Sequence, residues 1–531
     1  MRIALLSWES KHSIAVGGLA EHVTELAAAL HHRGHEVHIF TRIGPGQSGY
    51  DYTDGVHYHR CPYEPHPDFL IENERMCSSF VWHLAETESY LNAPFDIVHG
   101  HDWLSVRAIK QIKNDHRRPV VMTIHSTEYG RCGNQLFEGP SRRVREIEWE
   151  GAYLAERVIC VSGALRKEIQ GLYDVPTDKT NVIYNGVDVR RFDARVSTRS
   201  ARRQYAIDVD DPVVLFAGRM TWQKGPDLLV EALPGLLEHH PRAKFVFAGE
   251  GDLRDGLERR AAVLGVAPAT RFVGHRSGRE LVSLFKSADI VCVPSRNEPF
   301  GIVILEAWSA RKPVVATRNG GPAEFVKHED TGLTVSDDRD SIGWGVGAVL
   351  ANKAKARRMG CNGRREAELR FSWDIVATAT ERVYQSVLDG RSNLRWQSNA
   401  RREEVSGMAR QRTGKVEGSA AKARQPKSKT TKATTRTTTT ATTKATTKSA
   451  SKTAKSTRAT AQSTKMIHKS MPVAEVTAGL KPTFNEIRDR AYQIYLVRGA
   501  VPGYSEGDWL QAERELRELK AAQAASGKRR R

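Results

Sequence analysis

The chain has 531 residues, 40% of them hydrophobic, which gives room for two or three domains that each bury a core. Its formal charge of +19 is concentrated: residues 401–470 hold 18 Lys and Arg against 3 Asp and Glu, whereas residues 1–400 hold 52 against 51. The basic character therefore describes a tail and not the body, and six dispersed cysteines with no C-x-x-C pair argue against a disulfide framework and a zinc site.

The cysteines read as reduced and buried. The opening "MRIALLSWES" reaches Glu9 too soon for a signal peptide, and no window approaches the ~18 apolar residues of a membrane span. These features predict a soluble, cytoplasmic protein.

"RIALLSW" predicts a strand and "GGLAEHVTELAAALHHRGH" a helix, with Leu19, Val23, Leu26 and Leu30 at helical spacing and Gly34 where it would stop; "EVHIFTR" predicts the next strand. That unit repeats in parallel sheets. The rhythm continues through "DIVHGHDW", "PVVMTIHS", "RVICVSGALRKEI" and "NVIYNGVD". It pauses in the polar, Arg-rich residues 190–210, then resumes with "PVVLFAGR", "AKFVFAGEGD", "TRFVGH", "DIVCVPS" and "PVVAT". The pattern predicts an α/β chain of two doubly wound domains, residues 1–200 and 201–370, facing one cleft.

Residues 371–389 read as a last amphipathic helix with Ile375, Ala379 and Val383 on one side. Residues 390–479, rich in Lys, Thr and Ala, lack the apolar content to offset the entropy of ordering and predict a disordered linker. Thr483 with Glu486 and Ser505 with Asp508 resemble capping boxes, so residues 480–522 predict a helical hairpin with Trp509, Leu516 and Leu519 in its core.

Candidate site residues lie where strands give way to helices. In "RNEPFGIVILEAWSARK", Phe300 and Gly301 stand at a helix N-terminus suited to an anion, with Glu298 in the loop pointing into the cleft and Glu306 further along the helix. In "FAGRMTWQKGPDLLVEAL", Arg219 and Lys224 can neutralise a diphosphate without a metal. Gly17 and Gly18 let the backbone approach a phosphate or sugar closely. His101, Asp102, His125, Ser162 and Asn185 occupy strand ends, where each alone is equally a cap or a core hydrogen-bonding group.

In this order the motifs resemble those of the retaining family-four glycosyltransferases of the GT-B fold, a group that includes bacterial and archaeal glycogen synthases. The resemblance covers residues 1 to about 389. It implies two Rossmann-like domains, a hexosyltransferase activity, a nucleotide-diphosphate sugar such as UDP- or ADP-glucose held mainly by the second domain, and a glucan or other glycosyl acceptor held mainly by the first. No metal or other cofactor is implied. Glu298 matches a glutamate near the sugar hydroxyls, Glu306 the acceptor for the ribose diol, and Arg219 and Lys224 the diphosphate-binding pair. The Phe300 and Gly301 amides would contact sugar or phosphate. His125 matches a histidine beside the transferred sugar, with Asp102 and Asn185 as further contacts, and residues 371–388 match a helix that crosses back to the first domain.

Glycogen synthases that use ADP-glucose usually carry Lys in "K-x-G-G-L", where this chain has Ala15. A transferase acting on a small or lipid-linked acceptor, for instance a mannosyl or inositol-phosphate glycosyltransferase, is therefore the competing reading. Sugar phosphorylases, which share the fold and use pyridoxal phosphate, are generally much longer. Residues 401–470 would bind nucleic acid or another polyanion with strong salt dependence. "DVDD" at 208–211 reads as a capping or solvated turn and not as a metal-binding D-x-D.

Overall fold

A computed structural model describes residues 1–390 and, beyond them, 490, 511–512, 514–517 and 519–520. The predicted linker therefore lies outside the described residues except for residue 390, as does the predicted hairpin apart from those few positions. Among these, Arg490 and Glu515 form an ion pair at 2.6 Å, Ala512 is buried, and Leu519 is 55% exposed instead of lying in a core.

The first sheet has eight strands: β1 (Arg2–Leu6), β2 (Glu36–Arg42), β3 (Tyr50–Thr53), β4 (Val56–Cys61), β5 (Ile97–His101), β6 (Val120–Ile124), β7 (Arg157–Cys160) and β8 (Thr180–Val182). Their order is β3-β4-β2-β1-β5-β6-β7-β8, parallel except for the antiparallel β3–β4 pair. The second has six parallel strands: β9 (Val213–Ala217), β10 (Lys244–Ala248), β11 (Thr270–Gly274), β12 (Ile290–Val293), β13 (Val314–Thr317) and β14 (Gly332–Val335), in the order β11-β10-β9-β12-β13-β14. Central strands such as "IALL" and "VVLF" are buried along their length, as parallel strands covered on both faces must be.

Four helices matter for the site: α1 (Gly18–His32), α2 (Gly163–Tyr173), α3 (Ile302–Ser309) and α4, which spans 373–390. α4 packs on the first sheet, as the resemblance implied, with Trp373, Val376, Ala377, Val383, Tyr384 and Val387 in the same apolar cluster as Ile3, Leu5 and Ile39. The buried face differs from the expected stripe, because Ile375 is 43% exposed. The helix is anchored instead through Tyr384, whose hydroxyl lies 2.7 Å from Nδ1 of the buried His99.

The halves also join through side chains. Glu324 of the second accepts from the Gly163 and Ala164 amides, at 3.0 and 2.6 Å, at the start of α2, and from the Tyr184 hydroxyl at 2.9 Å. Arg364 donates both terminal nitrogens to Asp193, each at 3.0 Å. All six cysteines are free thiols, but Cys361 is exposed and Cys132 half-buried, contrary to the expectation that all are buried. Among the described residues no helix is long and apolar enough to cross a membrane.

Candidate active site

In the first sheet the chain winds outward from β1 to β2 on one side and to β5 on the other; in the second, β10 and β12 flank β9 in the same way. Doubly wound sheets collect ligands beyond the carboxyl ends of the strands at such points. Gly17 and Gly18 follow β1, Asp102 follows β5 and His125 follows β6. Arg219 and Lys224 follow β9, and Glu298, Phe300 and Gly301 follow β12.

The starts of α1 and α3 meet. A Cβ placed on Gly18 would lie 3.1 Å from Cδ1 of Ile302, the first residue of α3, and neither helix has a side-chain cap. The two helix starts are therefore neighbours, and the uncapped first-turn amides and positive dipole end of each favour an anion. Gly301 precedes α3 at φ 99°, a conformation that costs other residues strain, while the Phe300 ring is buried against Tyr184 and Phe325.

Beside this region lies a pair of opposite charges. Lys224 Nζ donates to both carboxylate oxygens of Glu298 at 2.9 and 2.8 Å, and Ser295 Oγ donates to the same carboxylate at 2.9 Å. Glu298 is buried and holds the lysine. The two loops are further pinned by Arg296, which pairs with Asp227 at 2.9 and 2.6 Å and stacks over Trp222 at 4.5 Å. Arg219 is exposed, and among the described residues its guanidinium has no hydrogen-bond or ion-pair partner. Its charge nonetheless lowers the carboxyl pKa values of Glu9, Asp102 and Asp252, all three of which burial raises. Glu306, half-buried, is pushed up to about 7 by burial, with Arg191 and Lys11 of the first half pulling it down and Glu21 pushing it up.

On the first sheet's side, Asp102 takes φ 55°, its carboxylate accepts from the His125 amide at 2.7 Å, and burial raises its pKa to about 6. Nδ1 of His101 lies 3.2 Å from Nε2 of His125, whose pKa burial holds down at about 3. Asn185 is taken up by Nδ1 of His22, 2.8 Å from its Oδ1. Ser162 caps α2 by accepting from the Leu165 amide at 3.0 Å, so it belongs to the scaffold.

Two neighbours went unread in the sequence. Glu9 accepts from the Val16 and Gly17 amides, the latter at 2.9 Å, and so already supplies the glycine turn with an anion. Its signal was a carboxylate closing a buried run. His22 is buried on α1, three residues after Leu19, and its signal was a polar residue on the apolar face of the helix. In the 208–211 segment, Asp211 pairs with Arg242 at 3.0 Å.

Residues 16–191 match the family described as Glycosyltransferase Family 4, residues 197–366 match Glycosyl transferases group 1, and residues 484–518 match Protein of unknown function (DUF2934). An uncharacterised glycosyltransferase of Methanocaldococcus jannaschii is 38% identical over 73% of this chain and 99% of its own length. Glycogen synthase of Mycobacterium tuberculosis is 33% identical over 73% and 96%. D-inositol 3-phosphate glycosyltransferase of Saccharomonospora viridis is 30% identical over 73% and 94%. Among solved structures, sucrose-phosphate synthase of Thermosynechococcus elongatus superposes with a TM-score of 0.63 at 24% identity, covering 73% of this chain and 99% of that one. The Anabaena protein HepE, in complex with UDP-glucose, does so with a TM-score of 0.57 at 20% identity, covering 74% and 100%.

Proposed function

Because the chain belongs to the glycosyltransferase family that joins a family-four domain to a group-one domain in the GT-B fold, we propose that it is a retaining hexosyltransferase. It moves a glucosyl group from a nucleotide-diphosphate sugar, UDP- or ADP-glucose, to an α-glucan. The observation that carries this reading is the meeting of the α1 and α3 N-termini beside the Lys224–Glu298 pair. A diphosphate fits there, with the unpaired Arg219 as its further cation.

In this mechanism the acceptor hydroxyl attacks the anomeric carbon on the face from which the diphosphate departs. The bond to the acceptor forms as the bond to the diphosphate breaks, and the hydroxyl proton passes to the departing phosphate oxygen. Charge develops on an oxocarbenium-like sugar and on the diphosphate; Lys224, Arg219 and the amides of Phe300, Gly301 and Gly18 stabilise the latter, while the Gly17 amide stays with Glu9. Glu298 holds Lys224 in place and lies near the sugar hydroxyls. Glu306 accepts the ribose diol. His125 lines the sugar pocket, its backbone held by Asp102, while Asn185 orients His22. No step is routed through a metal. Residues 371–389 tie the domain of residues 201–370 back to that of 1–200.

The experiment is an acceptor panel with product analysis by NMR. Glycogen extended through α linkages supports the proposal, and β-linked product removes the retaining mechanism. A second reading has its own support in Ala15 and in the D-inositol 3-phosphate glycosyltransferase relatives: transfer, for instance of mannose, to a small or lipid-linked acceptor. Product with such an acceptor and none with glycogen selects it. Binding of nucleic acid or another polyanion by residues 401–470 is a separate activity of the tail. It is tested by salt-dependent DNA retention of the full chain against a chain ending at residue 390, and equal retention removes it.

A further inference from the structure

His22, His101 and His125 come from three separate elements, α1 and the ends of β5 and β6, yet their rings form one cluster. Ring centroids are 4.5 Å apart for His22 and His125, 5.4 Å for His22 and His101, and 5.5 Å for His101 and His125. One nitrogen from each lies within 4.8 Å of the other two. The 3.2 Å between His101 Nδ1 and His125 Nε2 is a hydrogen bond in this structure, so one of those two nitrogens gives up its proton if both are to ligate an ion.

The hydrogen bonds within the cluster do not close. Oδ1 of Asn185 only accepts, so Nδ1 of His22 carries the proton and Nε2 a lone pair. That Nε2 is buried with no hydrogen-bond partner, and so is Nε2 of His101. The adjacent His99 shows the contrast, because its two nitrogens meet Tyr384 Oη and Thr123 Oγ1, each at 2.7 Å. A histidine fixed through one nitrogen by a carbonyl oxygen, with the other left open, is how proteins orient an imidazole toward a metal.

We propose that His22, His101 and His125 form a three-histidine binding site for a divalent transition metal of the zinc type. Three imidazoles suit Zn²⁺, Co²⁺ or Ni²⁺, whereas Mg²⁺ and Ca²⁺ require oxygen ligands. All three ligands belong to the first half of the chain, so binding requires neither donor nor acceptor, although His125 is shared with the sugar pocket assigned above. Asn185 is the positioning residue of the set.

The test is titration of the chelator-stripped full chain with Co²⁺, followed in the visible spectrum, then displacement by Zn²⁺. The expected result is a tetrahedral Co²⁺ spectrum that saturates at one equivalent and is abolished by His22→Gln. Asn185→Ala weakens binding about 10- to 100-fold. His59→Asn, which breaks the separate His38–His59 contact at 2.9 Å, leaves the spectrum unchanged. A thermal melt checks that each variant folds, and His125→Gln replaces His22→Gln should that variant fail. No tetrahedral spectrum in the wild type, an undiminished one in the folded histidine variant, or its loss in His59→Asn would overturn the proposal.

Discussion

Nζ of Lys224 lies within 2.9 Å of both carboxylate oxygens of Glu298, which joins the loop after β9 to the loop after β12 across the mouth of the second sheet. This pair gives Lys224→Ala two effects. Removing a cation that meets charge developing in the transition state lowers kcat/KM by about 10²–10³-fold. It also strands a buried carboxylate, at a cost of about 1–2 kcal/mol, less than for a fully buried pair because Lys224 is partly exposed. Steady-state kinetics and chemical denaturation measure the two separately, and wild-type turnover in the variant would remove Lys224 from the site.

Glu306 sets a pH dependence. With its pKa raised to about 7, the carboxyl is neutral on the acid side and becomes a full acceptor for two hydroxyls only as pH rises through that value. Nucleoside diphosphate binding should therefore tighten between about pH 6 and about pH 8, and Glu306→Gln should flatten the profile. Calorimetry across that range checks it; an equal slope in the variant would assign the dependence to another group.

Glu9 places a negative charge close enough to Arg219 for each to act on the other. Glu9→Gln keeps an oxygen for the glycine turn and removes the charge, so affinity for a nucleoside diphosphate should rise by about two- to tenfold. Weaker binding in a folded variant would mean that the ionised carboxylate organises the turn.

Gly301→Ala forces a Cβ into a left-handed position 3.1 Å from Ile304 Cδ1. The expected loss is about 1–2 kcal/mol of stability by denaturant unfolding, together with weaker nucleotide binding because the α3 amides shift. Unchanged values for both would show that the helix start is not strained.

Much of this architecture was legible because parallel strands announce themselves as apolar runs, and the helix starts after β1 and β12 carry glycine. The β3–β4 hairpin was missed although Asp54 and Gly55, both at positive φ, form the two-residue turn that "DG" predicts. Its strands, "YDYT" and "VHYHRC", are too polar to stand out as apolar runs. Ile375 was misplaced because a single i, i+4 row drifts around the helix, whereas the buried face is fixed by Trp373 and Tyr384. The candidate residues of the second half fell together because they follow adjacent strands. The pairing of Glu298 with Lys224 was not legible, since spacing along the chain places a carboxylate near a site without saying which cation claims it. His22 and Glu9 were hidden for a related reason: each matters through partners brought near only by tertiary folding, Asn185 for one and Arg219 for the other.

The most direct measurement is nucleotide release by the purified full chain offered UDP-, ADP- and GDP-sugars, with and without glycogen, beside the Glu298→Ala variant. The expected result is release from one NDP-glucose that depends on glycogen and is lost in the variant. Release that continues undiminished when Glu298 is removed would contradict it, because the pair that holds Lys224 would then have no part in the reaction.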